Sequence, residues 1–169
     1  MISRILEEVD KLTKKYKTRD PFEIAKGLNI DIVYHDLGNL KGYYYYQSRM
    51  KYIVINKNIS EDLKPVICAH ELGHDRLHLH FAKNFAIREF GLFDMSSKPE
   101  REANLFAAEL LIDETRFLEL ILAGHTYSDI ASELCIPIHL VVNKLNILKA
   151  RWNIIFYKSS VPKRQSCLF

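Results

Sequence analysis

Residues 69–74 read Ala69-His70-Glu71-Leu72-Gly73-His74, an H-E-x-x-H signature inside a stretch whose apolar residues Leu63, Val66, Ile67, Leu72 and Leu77 recur at helical spacing. On an α-helix, residues four apart lie about 40° apart around the axis and one turn apart along it. Both imidazoles can therefore reach one tetrahedral zinc ion at roughly 2.1 Å. Glu71 then flanks the metal rather than binding it. There it is placed to take a proton from a metal-bound water and hand it on to a leaving amine, the chemistry of zinc peptidases. The competing reading is a pair of hydrogen-bonded structural histidines, since imidazoles on core-adjacent turns need partners in either case. The metal site is the preferred reading.

A zinc site needs a third protein ligand, and three residues compete for the position. His80 stands ten residues after His70, the spacing of H-E-x-x-H-x-x-G-x-x-H. That pattern ends its helix at a glycine, whereas Leu77 occupies the position here and has no ease in the left-handed conformation. His78 continues the same helix, about 80° around from His70 and some 12 Å along, too far to close a compact site; it is left as a supporting or surface histidine. Glu100 opens the run Glu100 to Leu111, with Pro99 suited to a first helical turn. Glu100, Ala103, Asn104, Ala107 and Leu111 share one helical face, so small residues would let this helix approach the metal helix closely at Gly73, while Glu102 points roughly the opposite way. Ser97 followed by Glu100 also reads as a capping box with no chemistry. The ligand reading is preferred, with Asn104 placed to hydrogen-bond a metal-bound histidine.

The stretches Ala69 to His78 (A-H-E-L-G-H-D-R-L-H) and Glu100 to Leu111 (E-R-E-A-N-L-F-A-A-E-L-L) resemble the ImmA/IrrE metallo-endopeptidases of bacteria, phages and integrative elements. The likeness extends over most of residues 1 to 150. It implies a gluzincin-like site with His70, His74 and Glu100 on zinc and Glu71 as general base. It further implies a helix-turn-helix repressor as substrate, as in the anti-repressor branch, which the size of this chain fits. Where the family often closes its second motif with Met-Pro, Ile112 and Asp113 follow here.

A chain of 169 residues, 48% of them hydrophobic, is long enough to bury a core as one compact domain. No apolar run approaches the roughly 18 residues of a membrane span, and Met1 to Glu8 reads as an amphipathic helix rather than a leader. A cytoplasmic protein is expected. Cys68, Cys135 and Cys167 are odd in number and scattered, which argues for free thiols rather than disulfides or a cysteine zinc site.

The first helix is expected through Ile2, Ile5, Leu6, Val9 and Leu12. A second follows, with Asp20 as cap, Pro21 in the first turn and Gly27 as stop. Ile30–Tyr34, Gly42–Tyr46 and Tyr52–Ile55 read as three strands of a small antiparallel sheet, whose edge can accept an extended substrate. In the run Tyr43 to Tyr46, two phenols are expected in the core and two on the surface. None is singled out as an oxyanion stabiliser. Asp75 and His125 are treated in the same way.

From Thr126 to Pro137 and on through Ile138 to Leu148 the pattern is helix-turn-helix-like, with Cys135 where glycine is usual. The would-be recognition helix begins Ile138, His139, Leu140, Val141, Val142, which offers little to base edges, and a net charge of +3 is too mild to argue for nucleic acid. His139, Asn143 and Lys144 are read as exposed polar positions available for docking a substrate protein. Lys158, Lys163 and Arg164 make a basic tail, taken as solvated.

The expectation is an α+β fold: a small antiparallel three-stranded sheet on a helical zincin-like core. Residues 1–125 form the peptidase core, 126–150 the helix-turn-helix-like subregion and 151–169 the tail. The function expected is a zinc endopeptidase that cleaves a phage or mobile-element repressor. The alternative is a regulator that binds DNA or a repressor and carries a non-catalytic metal site.

Overall fold

In the computed structural model, residues 1–82, 87–89 and 97–160 are described, with side chains for 1–78 and 97–152. The first helix, α1 (Ile2–Tyr16), buries Ile5, Val9 and Leu12 along one stripe and ends at Lys17 in the left-handed conformation. α2 (Pro21–Gly27) begins as its residue types require. The Asp20 carboxylate accepts from the Phe22 N–H at 2.8 Å, and Pro21 fills the first turn, where no N–H is needed.

Three strands follow, β1 (Ile30–His35), β2 (Gly42–Gln47) and β3 (Met50–Asn56), and a short β4 (Ile87–Glu89) joins them in the order β1-β3-β2-β4. The α+β class is as expected, but the sheet differs from the expected antiparallel trio. Among the described residues it has four strands, and β1 runs parallel to β3. The cause is the segment 36–41, which crosses the end of β3 so that β3 lies between β1 and β2. Asn56, buried at that end, holds the crossing in place: its Nδ2 donates to the Gly38 carbonyl at 2.9 Å and to the Leu40 carbonyl at 2.8 Å. The β2–β3 hairpin turns at Ser48 and Arg49, both at positive φ, the conformation that matches the twist of paired strands.

α3 (Leu63–Ala82) lies against the sheet, and β2 is shaped to receive it. A Cβ at Gly42 would stand 2.4 Å from Ile67 Cγ2 and 3.0 Å from the Val54 carbonyl, so only glycine permits this approach. Two residues on, on the same face, Tyr44 is fully buried and donates to Asp75 Oδ1 at 2.7 Å, where Lys51 Nζ also lies at 2.8 Å. The buried carboxylate thus has a phenol and an ammonium as partners, and α3 is tied to two strands. Of the four tyrosines, Tyr44 alone is fully buried; Tyr46 also packs on the core, and Tyr43 and Tyr45 are partly exposed.

α4 (Lys98–Leu111) packs on α3, with Ala103 to Leu110 all buried. Arg19 Nη1 donates to the Glu109 and Leu110 carbonyls at the end of α4, satisfying acceptors that the helix itself leaves open. α5 (Glu114–Leu122), α6 (Tyr127–Glu133) and α7 (Ile138–Ser160) are the remaining elements among the described residues. α6 and α7 meet at 112°, as a helix-turn-helix requires, and Cys135 in their connection takes φ 50, the left-handed conformation that usually calls for glycine.

The docking positions expected on α7 need correction. Lys144 is 0% exposed and donates to Glu109 Oε2 at 2.7 Å, Asn143 is buried, and His139 is partly buried. Lys144 faces α4 rather than solvent, because Glu109 supplies the counter-charge that lets an ammonium enter the core. Among the described residues no single helix is long and apolar enough to cross a membrane. The side chains of His80 and Lys158, and residues 161–169 with Lys163, Arg164 and Cys167, lie outside the described residues.

Candidate metal centre

His70, Glu71 and His74 occupy the middle of α3 and are buried, at 1%, 0% and 0% exposure. The helix places the two histidines on successive turns, and α4 brings Glu100 to them across the interface at Gly73. Ser97 does cap α4, its hydroxyl accepting from the Glu100 N–H at 3.3 Å. The Glu100 carboxylate meanwhile lies at the histidines. Ser97 thus caps the helix at the Glu100 backbone, while the Glu100 side chain is brought to the two histidines.

His70 Nε2 and His74 Nε2 are 3.0 Å apart, Glu100 Oε2 is 3.1 Å from the first and Glu100 Oε1 is 3.4 Å from the second. Ligands at zinc's bond lengths of about 2.0–2.1 Å stand roughly 3.3 Å from one another on the edges of a tetrahedron. The three groups thus have the separations of one face of such a site. Among the described residues they are the one set of His, Cys, Asp and Glu side chains that could hold a metal.

The polar surroundings orient both rings. His70 Nδ1 lies 3.0 Å from Asn104 Oδ1 and donates to it, which leaves the lone pair on Nε2. His74 Nδ1 lies 3.2 Å from His78 Nδ1, whose ring turns its Nε2 to Glu102 Oε2 at 2.8 Å. Burial holds the His74 pKa down to about 4, against an opposing hydrogen bond from Glu100, so the ring is neutral at pH 7, the form that coordinates a metal. His74 and His70 turn their Nε2 atoms to one point beside the Glu100 carboxylate, a donor set that could hold a metal ion.

Asn104 stands where the helical face placed it, and His78 lies outside the three-donor cluster, as its distance along the helix required. The residue that face arithmetic missed is Glu102, set aside as pointing away from Glu100. The available signal was His78 itself, a histidine in an apolar helix that needed a partner. Asp75 anchors α3 to the sheet. His125 bonds the Leu120 carbonyl and faces Glu133 at the start of the helix-turn-helix segment, so neither joins the cluster.

The Peptidase_M78 family, described as an IrrE N-terminal-like domain, matches residues 25–146, a span that holds α3, the sheet and α4. The chain belongs to this family. Among relatives of this M78 chain, the "uncharacterized immunity region protein 2" of Bacillus phage phi105 is 40% identical over 124 residues, 73% of this chain and 77% of the phage protein. Metallopeptidase ImmA of Bacillus subtilis strain 168 is 26% identical over 154 residues, 90% of each chain. The M78 match thus confirms the ImmA/IrrE resemblance drawn from the two motif stretches.

Proposed function

We propose that this M78 protein is a zinc metallo-endopeptidase of the cytoplasm that cuts a helix-turn-helix repressor of a phage or mobile element. His70, His74 and Glu100 hold the metal in this reading, and Glu71 is the general base. The observation that carries it is the convergence of two imidazole Nε2 atoms and one carboxylate at tetrahedral separations, with a buried glutamate between the histidines in sequence. Zinc bound there would lower the pKa of its water toward about 7 and polarise the scissile carbonyl.

The protein's own residues do the rest. Glu71 takes the water's proton and returns it to the departing amine, so that a poor leaving group departs as a neutral amine. Asn104 keeps the His70 lone pair on the metal side. Gly42 leaves space at the sheet beside Glu71, whose Oε1 lies 3.5 Å from where a Cβ at position 42 would stand. The choice of a repressor as substrate is supported by the relatives, one named for a phage immunity region and one named a metallopeptidase.

The test is coexpression with candidate helix-turn-helix repressors, with fragments identified by mass spectrometry and zinc counted in the purified protein. Stoichiometric zinc and a defined cut that disappears in Glu71→Gln are expected. An intact repressor that binds a zinc-loaded protein would overturn the peptidase reading in favour of a non-cutting regulator.

A further inference from the structure

The metal helix is not straight. At His78 the backbone leaves helical geometry, with φ −128 and ψ 21, and Arg4 Nη2 of α1 donates to the adjacent Leu77 carbonyl at 3.2 Å. His78 is 4% exposed, and its ring centroid lies 5.3 Å from that of His74. Its two nitrogens face different groups, Nε2 facing Glu102 at 2.8 Å and Nδ1 facing His74 Nδ1 at 3.2 Å.

The donor and acceptor roles then follow in sequence. An ionised carboxylate only accepts, so the proton of a neutral His78 sits on Nε2 and its lone pair on Nδ1. His74 Nδ1 must therefore donate to it. That places the His74 lone pair on Nε2, the atom facing His70 and Glu100. Reversing the chain would put a hydrogen on His74 Nε2 and close the site.

We propose that His78 and Glu102 act as a pair of positioning residues, setting the tautomer and orientation of His74 through an imidazole-to-carboxylate relay. His70 obtains the same result from a neutral amide, Asn104. The two histidines are thus held by unlike supports, and the charged one can raise the basicity of the ring it holds. This inference rests on the metal reading above, but its tests separate from that reading.

The first test uses metal-free wild-type protein and long-range ¹H–¹⁵N NMR of labelled imidazoles. The expected result is His74 protonated at Nδ1 and bare at Nε2, with His78 protonated at Nε2. His74 protonated at Nε2, or His78 protonated at both nitrogens, overturns the relay whether or not metal binds. The second is zinc affinity by chelator competition, together with the visible spectrum of the cobalt(II)-loaded protein. Glu102→Ala and His78→Phe should each weaken zinc binding by about 10–100-fold and shift the cobalt bands. Glu102→Gln, whose side-chain oxygen can still accept from Nε2, should recover most of the affinity, and Lys98→Ala should change nothing. Wild-type zinc affinity in both Glu102→Ala and His78→Phe would overturn the proposal. A wild-type protein with no zinc affinity would instead overturn the metal reading and leave the tautomer measurement to decide the relay.

Discussion

Gly73 on α3 lies against Ala103 on α4 so closely that a Cβ at position 73 would stand 3.0 Å from Ala103 Cα and 3.2 Å from Phe106 Cβ. His70 and Glu100 each stand three residues before one member of this pair. The contact therefore sets how near the carboxylate of one helix comes to the imidazole of the other.

Gly73→Ala tests that spacing. Alanine gains about 1 kcal/mol in helix propensity, while overpacking a close contact costs about 1–3 kcal/mol. The nearest obstacle is backbone and cannot rotate away, so the second effect prevails. Urea denaturation of the metal-free protein should show a net loss of up to about 2 kcal/mol, with weaker zinc binding besides. A more stable variant with wild-type zinc affinity would show that the helices have room to spare.

Glu71→Gln should keep zinc content and melting temperature and lose cleavage by at least about 10²-fold, because an amide cannot accept the water's proton. Turnover near wild type in the zinc-loaded variant would remove Glu71 from the role of base.

The third ligand is decided by comparing two variants. Glu100→Ala should lose most zinc affinity, since its oxygens lie 3.1 and 3.4 Å from the two histidine Nε2 atoms, whereas His80→Ala should retain it. Equal retention in both, measured by chelator competition, would refute the ordering.

Lys144 and Glu109 form a buried pair joining α7 to α4. Lys144→Met should cost about 3–5 kcal/mol by leaving a largely buried carboxylate without its partner. The double change Lys144→Met with Glu109→Leu should recover most of the loss, because removing both charges also removes their desolvation cost. Denaturant titration of the two variants reads this directly, and a single variant as stable as wild type would contradict it.

Burial holds the His139 pKa down to about 4 from an ordinary 6.5. Between those values the unfolded chain binds the proton and the folded chain does not, so stability falls as pH falls from about 6.5 toward 4. The melting temperature of the metal-free protein should drop across that window, and less steeply in His139→Gln. His74 carries the same sign and leaves a residual slope in the variant. Identical slopes in the two proteins would assign the acid sensitivity elsewhere.

What the sequence disclosed and what it withheld divide along physical lines. His70, Glu71 and His74 are legible because one helix sets their geometry, and Glu100 and Asn104 because a second helix carries both on one face. The parallel pairing of β1 with β3 was not legible. It depends on where segment 36–41 crosses, which is held by side-chain bonds from Asn56. Lys144 read as surface because its counter-charge lies 35 residues away, beyond any local pattern. Glu102 was missed because arithmetic on one straight helix says nothing of the bent neighbour at His78 that meets it.

From Ala103 to Leu110, α4 has no side open to solvent. Asn104 serves one histidine, Glu109 receives Lys144, and the last carbonyls belong to Arg19. A helix with every side engaged has almost no neutral substitutions left to it. If such a chain must follow a changing target, its descendants can diverge on α1, α5 and the outer face of α7, while the eight residues at its centre are inherited nearly as a single unit.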